Sequence, residues 1–94
     1  MKLNIGKSFG KALRAARRKA YFTQEGLALS SGLDRSYISL LERGQRKPSL
    51  ESVMILAGAL DIDTLVFVDE FLKHFNTANS DQYNPLQMVK EISA

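Results

Sequence analysis

The stretch TQEGLALSSGLDRSYISLLER, which begins at Thr23, constrains the fold more than any other part of the chain. Thr23 can accept a hydrogen bond from a free backbone N–H group at a helix start, and Gly32 can adopt the positive φ that an abrupt helix end requires. Asp34 can cap a second helix as Thr23 caps the first. The pattern therefore predicts two short helices, about 24–31 and 35–43, which are joined at one glycine.

Apolar side chains at helical spacing predict three more helices around this pair. The first would run from about 8 to 20 and begin at Ser8, and the fifth would run from about 63 to 75. The fourth would begin at Ser49 and turn one apolar face toward the core. That predicted face consists of Leu50, Val53, Met54, Ala57 and Leu60. The expected fold class is all-α, with five helices.

Length and composition limit the chain to one domain and a tail. Ninety-four residues with a 45% hydrophobic fraction can bury one modest core. We assign residues 1–76 to this domain, with residues 1–6 as an arm that is poorly ordered or lies on the surface. Residues 77–94 are predicted to be a linker and a short extension, in which Asn84 and Pro85 can start a sixth helix.

Composition also excludes several classes of protein. The absence of cysteine excludes a disulfide framework and a thiolate metal site. The N-terminus lacks the apolar run of a signal peptide, and no apolar stretch approaches the ~20 residues that span a bilayer. We expect a cytoplasmic protein without a membrane partner.

Charge is unevenly distributed along the chain, although the net charge is only +3. Residues 1–50 contain eleven basic and three acidic side chains, whereas residues 51–94 contain two basic and seven acidic ones. A basic half that carries the paired helices favours a polyanion such as double-stranded DNA as the partner. The alternative is that these charges only solvate the helix faces.

The outward side of the second helix of the pair is the candidate DNA-reading surface, because its residues are spaced to lie along one groove. Arg35 has the fork geometry that pairs with guanine O6 and N7, although it can instead contact a phosphate or Asp34. Leu40 can contact a thymine methyl group or cover the turn, and Tyr37 can belong to the core edge or contact the DNA backbone. The candidate base-reading residues are Arg35, Ser36, Ser39 and Leu40.

Gln24 and Arg17 are candidates for two different roles. Gln24 lies in the first turn of its helix, where free N–H groups and the helix dipole favour a phosphate. It is otherwise an exposed glutamine without a role. Arg17 points toward the packed side of the first helix, where a charge needs a partner.

A set of residues in this region resembles the lambda-repressor-like (Xre or Cro type) helix-turn-helix family. The matching residues are Gln24, Ala28, Gly32, Ile38 and Leu41, followed by Glu42-Arg43-Gly44, and the resemblance covers about residues 7–72. Two further segments, Leu33-Asp-Arg-Ser-Tyr-Ile-Ser39 and Arg46-Lys-Pro-Ser49, are similar to those of restriction-modification controller proteins.

The resemblance implies a fold, a function and several residue roles. It implies a lambda-repressor-like fold that binds DNA through the third helix, and a structural ion pair between Arg17 and Glu42. It also implies that the loop after the third helix follows the DNA backbone. The candidate phosphate contacts are Gln24, Tyr37, Arg43, Gln45, Arg46 and Lys47.

The fifth helix carries more apolar residues than one side of a helix can bury. We expect part of it to form a twofold dimer interface, because a palindromic operator needs two recognition helices about one DNA turn, ~34 Å, apart. The candidate interface residues are Leu65, Phe67, Val68, Phe71, Leu72 and Phe75. The alternative is that the C-terminal tail covers this surface within one chain.

Catalysis has little support in the sequence. No pattern places a base beside a nucleophile, and neither a phosphate-binding loop nor metal-ligand spacing is present, so we expect no enzyme, metal or cofactor. The expected function is a homodimeric transcriptional regulator, either repressor or activator. The alternative is an antitoxin-like protein that binds a partner protein and autoregulates its operon, with the C-terminal extension as a candidate contact.

Overall fold

The computed structural model describes residues 4–78, and these residues form five α-helices and no strand. The helices are α1 (Ile5–Lys19), α2 (Gln24–Ser31), α3 (Arg35–Glu42), α4 (Leu50–Ala59) and α5 (Thr64–Ala78). The all-α class and the order of the five helices are confirmed. The predicted extension from residue 79 onward and the start of the predicted arm, residues 1–3, lie outside the described residues.

The α2–α3 pair has the local signals that its sequence indicates. The backbone N–H of Gly26 donates to Thr23 Oγ1 over 2.9 Å, which caps α2. Gly32 ends α2 with a φ of 75°, a left-handed conformation that glycine adopts without steric cost. Asp34 precedes α3 as predicted, but its carboxylate makes no capping hydrogen bond, so α3 begins without that contact.

The core lies where α1 packs on both α3 and α5 while α4 closes the remaining side. Helix α2 packs against α3 and α4, and α4 also packs against α5. Phe9 of α1 joins the helices at the centre, because its ring lies 5.5 Å from that of Phe67 and 6.1 Å from that of Phe71. The largest fully buried apolar side chains are Leu13, Leu27, Ile38, Leu41, Leu56 and Phe67.

Gly10 permits a close approach between α1 and the end of α3. A Cβ atom at this position would lie 2.5 Å from the carbonyl oxygen of Leu41 and 2.6 Å from that of Glu42. Both atoms belong to the backbone, so neither can move aside as a side chain would. The absence of a side chain at residue 10 therefore sets the distance between α1 and α3.

The predicted start of α1 was wrong. The helix begins at Ile5, and Ser8 is buried inside its first turns rather than capping them. The first turn already packs on the loop after α3, since a Cβ on Gly6 would lie 2.9 Å from the carbonyl oxygen of Gly44. Tertiary packing therefore extends the helix beyond the boundary that local capping residues suggested.

The predicted inward face of α4 was also partly wrong. Val53, Ala57 and Leu60 are buried, but Leu50 and Met54 are exposed, and Leu56 is fully buried instead. Apolar residues surround most of this helix, so the sequence alone leaves its rotation ambiguous. The cap at Ser49 is confirmed, because its Oγ accepts a hydrogen bond from the backbone N–H of Ser52 over 3.0 Å.

Candidate nucleic-acid interface

Helix α3 presents a polar outer side opposite its buried apolar side. Ile38 and Leu41 are fully buried against the other helices. Arg35 and Ser36, at the N-terminal end of α3, are exposed, and Ser39 and Leu40 are half-buried one turn later. The structure thus brings the four predicted base-reading residues onto one helix and leaves the first two accessible.

A buried carboxylate at the C-terminal end of α3 holds the helices together. The side chain of Glu42 has no exposed surface. Arg17 Nε donates to Glu42 Oε2 over 2.6 Å, and Arg17 Nη2 donates to Glu42 Oε1 over 2.9 Å, a two-bond geometry that is among the strongest polar contacts in proteins. Arg17 Nη1 also donates to the carbonyl oxygen of Phe22 over 2.8 Å. This arginine therefore ties α1, the α1–α2 connection and α3 to one another.

Opposing effects act on the pKa of Glu42. Burial raises the pKa of this carboxyl, but hydrogen bonds from Arg17, Gln24 and Arg14 and the charge of Arg17 lower it further than burial raises it. The pKa of Glu42 therefore lies below its ordinary value, and the carboxyl is ionised at neutral pH. The hydrogen bond to Glu42 likewise raises the pKa of Arg17 above its usual range. The pair is consequently charged on both sides.

Gln24 and Tyr37, two of the predicted phosphate contacts, also make hydrogen bonds within the protein. Gln24 Nε2 donates to Glu42 Oε1 over 3.2 Å. The hydroxyl group of Tyr37 shares a 2.9 Å hydrogen bond with Ser52 Oγ, and the residue is half-buried. These internal bonds fix the two side chains in position, because each joins its helix to a neighbouring element.

The loop between α3 and α4 forms the basic edge of this surface. Gly44 turns the chain with a φ of 72°, and the next three residues, Gln45, Arg46 and Lys47, are exposed. The Arg46 guanidinium lies 5.8 Å from the centre of the Tyr37 ring, within the range of a cation–π contact. Arg43 is exposed beside the loop, and its Nε lies 3.4 Å from the carbonyl oxygen of Ser39. The predicted phosphate contacts in this loop are therefore accessible together.

Sequence reasoning missed two residues that support the surface. Arg14 Nε donates to Glu42 Oε1 over 3.4 Å. Ser52 is buried and bonds both Tyr37 and Ser49. Arg14 precedes Arg17 by three residues, about one helical turn, and this spacing was the available signal that both can reach the same acid.

The predicted dimer surface on α5 is only partly accessible. Phe67 and Phe75 are buried, so these two predicted interface residues have little surface that a second chain could contact. Val68 and Phe71 are half-buried, while Leu72 is exposed and Leu65 is 78% exposed. The accessible part is therefore a stripe of Leu65, Val68 and Leu72 at helical spacing, which we call the α5 stripe.

Two features are absent from residues 4–78. This part of the chain contains no helix that is long and apolar enough to cross a membrane. It also contains no cluster of three or more histidine or acidic side chains that could hold a metal ion. His74 lines a groove of about 420 Å³ between α1 and α5.

Comparisons with known proteins agree with this arrangement. The helix-turn-helix family model matches residues 13–67. The crystal structure of the restriction-modification controller protein C.AhdI from Aeromonas hydrophila is 48% identical, covers 65% of this chain and 92% of its own, and has a TM-score of 0.62. The controller protein C.Esp1396I, solved as a tetramer with its natural 35 base-pair operator, is 30% identical over 76% of this chain and 93% of its own, with a TM-score of 0.70.

Curated relatives are regulators of the same kind. Control protein C.BamHI of Bacillus amyloliquefaciens is 37% identical over 70% of this chain and 83% of its own length. The immunity repressor of Bacillus phage phi105 is 38% identical over 65% of this chain, but the match spans only 42% of that repressor, and a match to a Sinorhizobium fredii regulator spans only 28% of it. The chain belongs to the Xre, or lambda-repressor-like, helix-turn-helix family of DNA-binding transcriptional regulators, which are not enzymes.

Proposed function

We propose that the protein binds a palindromic DNA operator as a homodimer and regulates transcription from it. The observation that carries this proposal is the accessible polar end of α3, where Arg35 and Ser36 are exposed beside the basic loop at Arg46 and Lys47. A helix of this kind can enter the major groove while the loop meets the adjacent phosphates. Such a role requires a location in the cytoplasm, where the DNA is.

Base reading is assigned to the outer side of α3. Arg35 can make the bidentate contact with guanine that contributes about 1–3 kcal/mol of discrimination. Ser36 and Ser39 can exchange hydrogen bonds with base edges, and Leu40 can contact a thymine methyl group. Because Ile38 and Leu41 anchor the opposite side in the core, these side chains would enter the groove on a rigid support.

Phosphate contacts are assigned to both edges of this helix. Gln24 lies at the first residue of α2, where the helix dipole favours an anion, and its side chain is held by Glu42. Arg43, Gln45, Arg46 and Lys47 would meet the backbone on the other edge. Tyr37 would act indirectly, because its ring lies 5.8 Å from the Arg46 guanidinium while its hydroxyl group is bonded to Ser52. These contacts would supply affinity and salt dependence rather than sequence preference.

Dimerisation is assigned to the α5 stripe of Leu65, Val68 and Leu72. Leu65 and Leu72 are exposed and Val68 is partly so, and this apolar surface would lose contact with water when two copies of the helix pack across a twofold axis. The operator complex of C.Esp1396I supports DNA binding by an assembly of several chains in this family. A palindrome would then present one half-site to each α3.

The test is to select an operator from random duplexes and compare Arg35→Ala with the unchanged protein. We expect Arg35→Ala to lose about 1–3 kcal/mol of preference at one base position while retaining most of its affinity for unrelated DNA. Light scattering should show that Leu65→Glu is a monomer, whereas the matched change of an equally exposed leucine on α2, Leu29→Glu, leaves the dimer intact. Selection of no preferred sequence, or dimers that survive Leu65→Glu, would count against the proposal.

A further inference from the structure

The positive charge of Arg14 is not needed to neutralise Glu42, the acid that its side chain contacts. Its Nε lies 3.4 Å from Glu42 Oε1, whereas Arg17 already gives Glu42 two bonds, at 2.6 and 2.9 Å. The Arg14 side chain is 47% exposed, compared with 11% for Arg17. Glu42 is thus neutralised by Arg17, and Arg14 adds a second cation that remains open to solvent.

This surplus charge lies beside the start of α2. Gln24, the first residue of α2, donates to the same oxygen of Glu42 that Arg14 contacts. Two arginines and one carboxylate leave one net positive charge in the group, next to the positive end of a helix dipole. A phosphate oxygen is an acceptor that suits both the guanidinium and the N-terminal end of α2.

Lys7 lies on the same side of α1 as Arg14, two helical turns earlier. A Cβ on Gly44 would lie 2.9 Å from Lys7 Cγ, so the stem of this lysine packs on the loop that leads to Arg46 and Lys47. Lys7 and Arg14 are seven residues apart and therefore lie on one side of α1. One meets the basic loop and the other meets the start of α2, so α1 flanks both edges of the candidate interface.

We propose that Arg14 is a DNA phosphate contact and that Lys7 is a second one, so that α1 extends the interface beyond the helix-turn-helix. This inference rests on the proposed DNA-binding function. Glu42 acts as a positioning residue here, since it orients Arg14 and Gln24 toward the same phosphate. Neither α1 contact reads sequence, because a phosphate is the same at every base pair.

The deciding measurement is the salt dependence of affinity for the selected operator and for an unrelated duplex. Arg14→Gln retains a donor toward Glu42 but removes the charge, and Lys19→Ala is the matched control. Lys19 is an exposed cation of the same helix on the side that lines the α1–α5 groove. Each phosphate contact contributes about 0.9 to the slope of log affinity against log salt, so Arg14→Gln should reduce the slope by about 0.9 on both duplexes.

The same reduction can be expressed as a change in affinity. Between about 50 mM and about 200 mM salt, the unchanged protein should lose about 3–4-fold more affinity than Arg14→Gln. Lys7→Ala should have a similar effect, and Lys19→Ala should leave the slope unchanged. Thermal melts should show that Arg14→Gln is folded, and Arg14→Lys should restore the slope.

Two different failures can be distinguished. If the unchanged protein binds the operator and the unrelated duplex equally well, the proposed sequence-specific function fails whatever Arg14 does. If the unchanged protein discriminates between them but Arg14→Gln and Lys7→Ala keep its slope, the operator function stands and the α1 contacts are refuted. An equal loss of slope in Lys19→Ala would also refute them, because the effect would then reflect overall charge.

Discussion

Replacement of Arg17 by alanine should destabilise the protein strongly, because it isolates a buried carboxylate. Glu42 has no exposed side-chain surface and receives its two shortest hydrogen bonds from Arg17. Removal of one partner from a buried ion pair typically costs about 3–5 kcal/mol. Arg14 and Gln24 still donate to Glu42, at 3.4 and 3.2 Å, so we expect a loss near ~3 kcal/mol, the lower end of that range.

Thermal unfolding followed by circular dichroism measures this loss directly. For a domain of this size, 1 kcal/mol corresponds to about 4–8 °C in the midpoint, so Arg17→Ala should melt about 12–24 °C below the unchanged protein. A double-mutant cycle with Arg17→Ala, Glu42→Ala and the variant that carries both changes measures how the two residues interact. The variant with both changes should lose less stability than the sum of the two single losses, because removal of both charges leaves neither one isolated. Wherever Arg17→Ala remains folded, its order of preference among operator sequences should be unchanged.

Three outcomes would contradict the reasoning. A midpoint within about 2 °C of the unchanged protein would mean that the pair contributes little to folding, since even 1 kcal/mol should shift it further. Strict additivity in the cycle would mean that the two residues act separately in spite of their 2.6 Å contact. A changed sequence preference in a fully folded variant would instead assign Arg17 to DNA reading.

Two further predictions follow from the same region. The pKa of Glu42 is lowered in the folded state, so the ionised carboxyl stabilises the fold fully above the ordinary carboxyl pKa, and this stabilisation is lost as pH falls through the folded pKa. Urea unfolding from pH 7 to pH 3 should therefore show that the difference in free energy of unfolding between the unchanged protein and Arg17→Ala narrows below about pH 4. A difference that stays constant or widens would contradict this. Gly10→Ala should lower the melting midpoint sharply, because its Cβ would meet the Leu41 carbonyl at 2.5 Å, whereas Gly58→Ala, where nothing lies within 4 Å, should be neutral or stabilising; equal midpoints for the two variants would contradict the close approach.

The sequence predicted those parts of the fold that depend on neighbouring residues. Thr23, Gly32 and Ser49 are local signals, and each acts in the structure as its residue type suggests. The rotation of α4 and the start of α1 depend instead on distant contacts. Ser8 has the composition of a cap, but the packing of α1 on the loop after α3 makes it an interior residue.

The sequence predicts which residues belong to the candidate site better than it predicts the hydrogen bonds that those residues make. The sequence indicates which side of α3 is polar, because the period of an α-helix fixes that side. It does not indicate that the Tyr37 hydroxyl bonds Ser52, fifteen residues away, or that Gln24 bonds Glu42. Likewise, Phe67 and Leu65 are both apolar, but Phe67 packs on Phe9 in the core and is buried whereas Leu65 is exposed.

If the proposed DNA contacts are correct, Glu42 links stability to DNA binding through one side chain. Its tight bonds to Arg17 fix α1 against α3, and its longer bonds hold Gln24 and Arg14 at the edge of the candidate interface. The hydrogen bonds from Gln24 and Arg14 to Glu42, at 3.2 and 3.4 Å, are weaker than the 2.6 Å bond from Arg17. An approaching phosphate can therefore compete for Gln24 and Arg14 without separating Glu42 from Arg17. On the proposed function, Gln24 and Arg14 would therefore donate to DNA while the Arg17–Glu42 ion pair remains intact. The charge of Arg14 would then contribute more to DNA binding than to the stability of the fold.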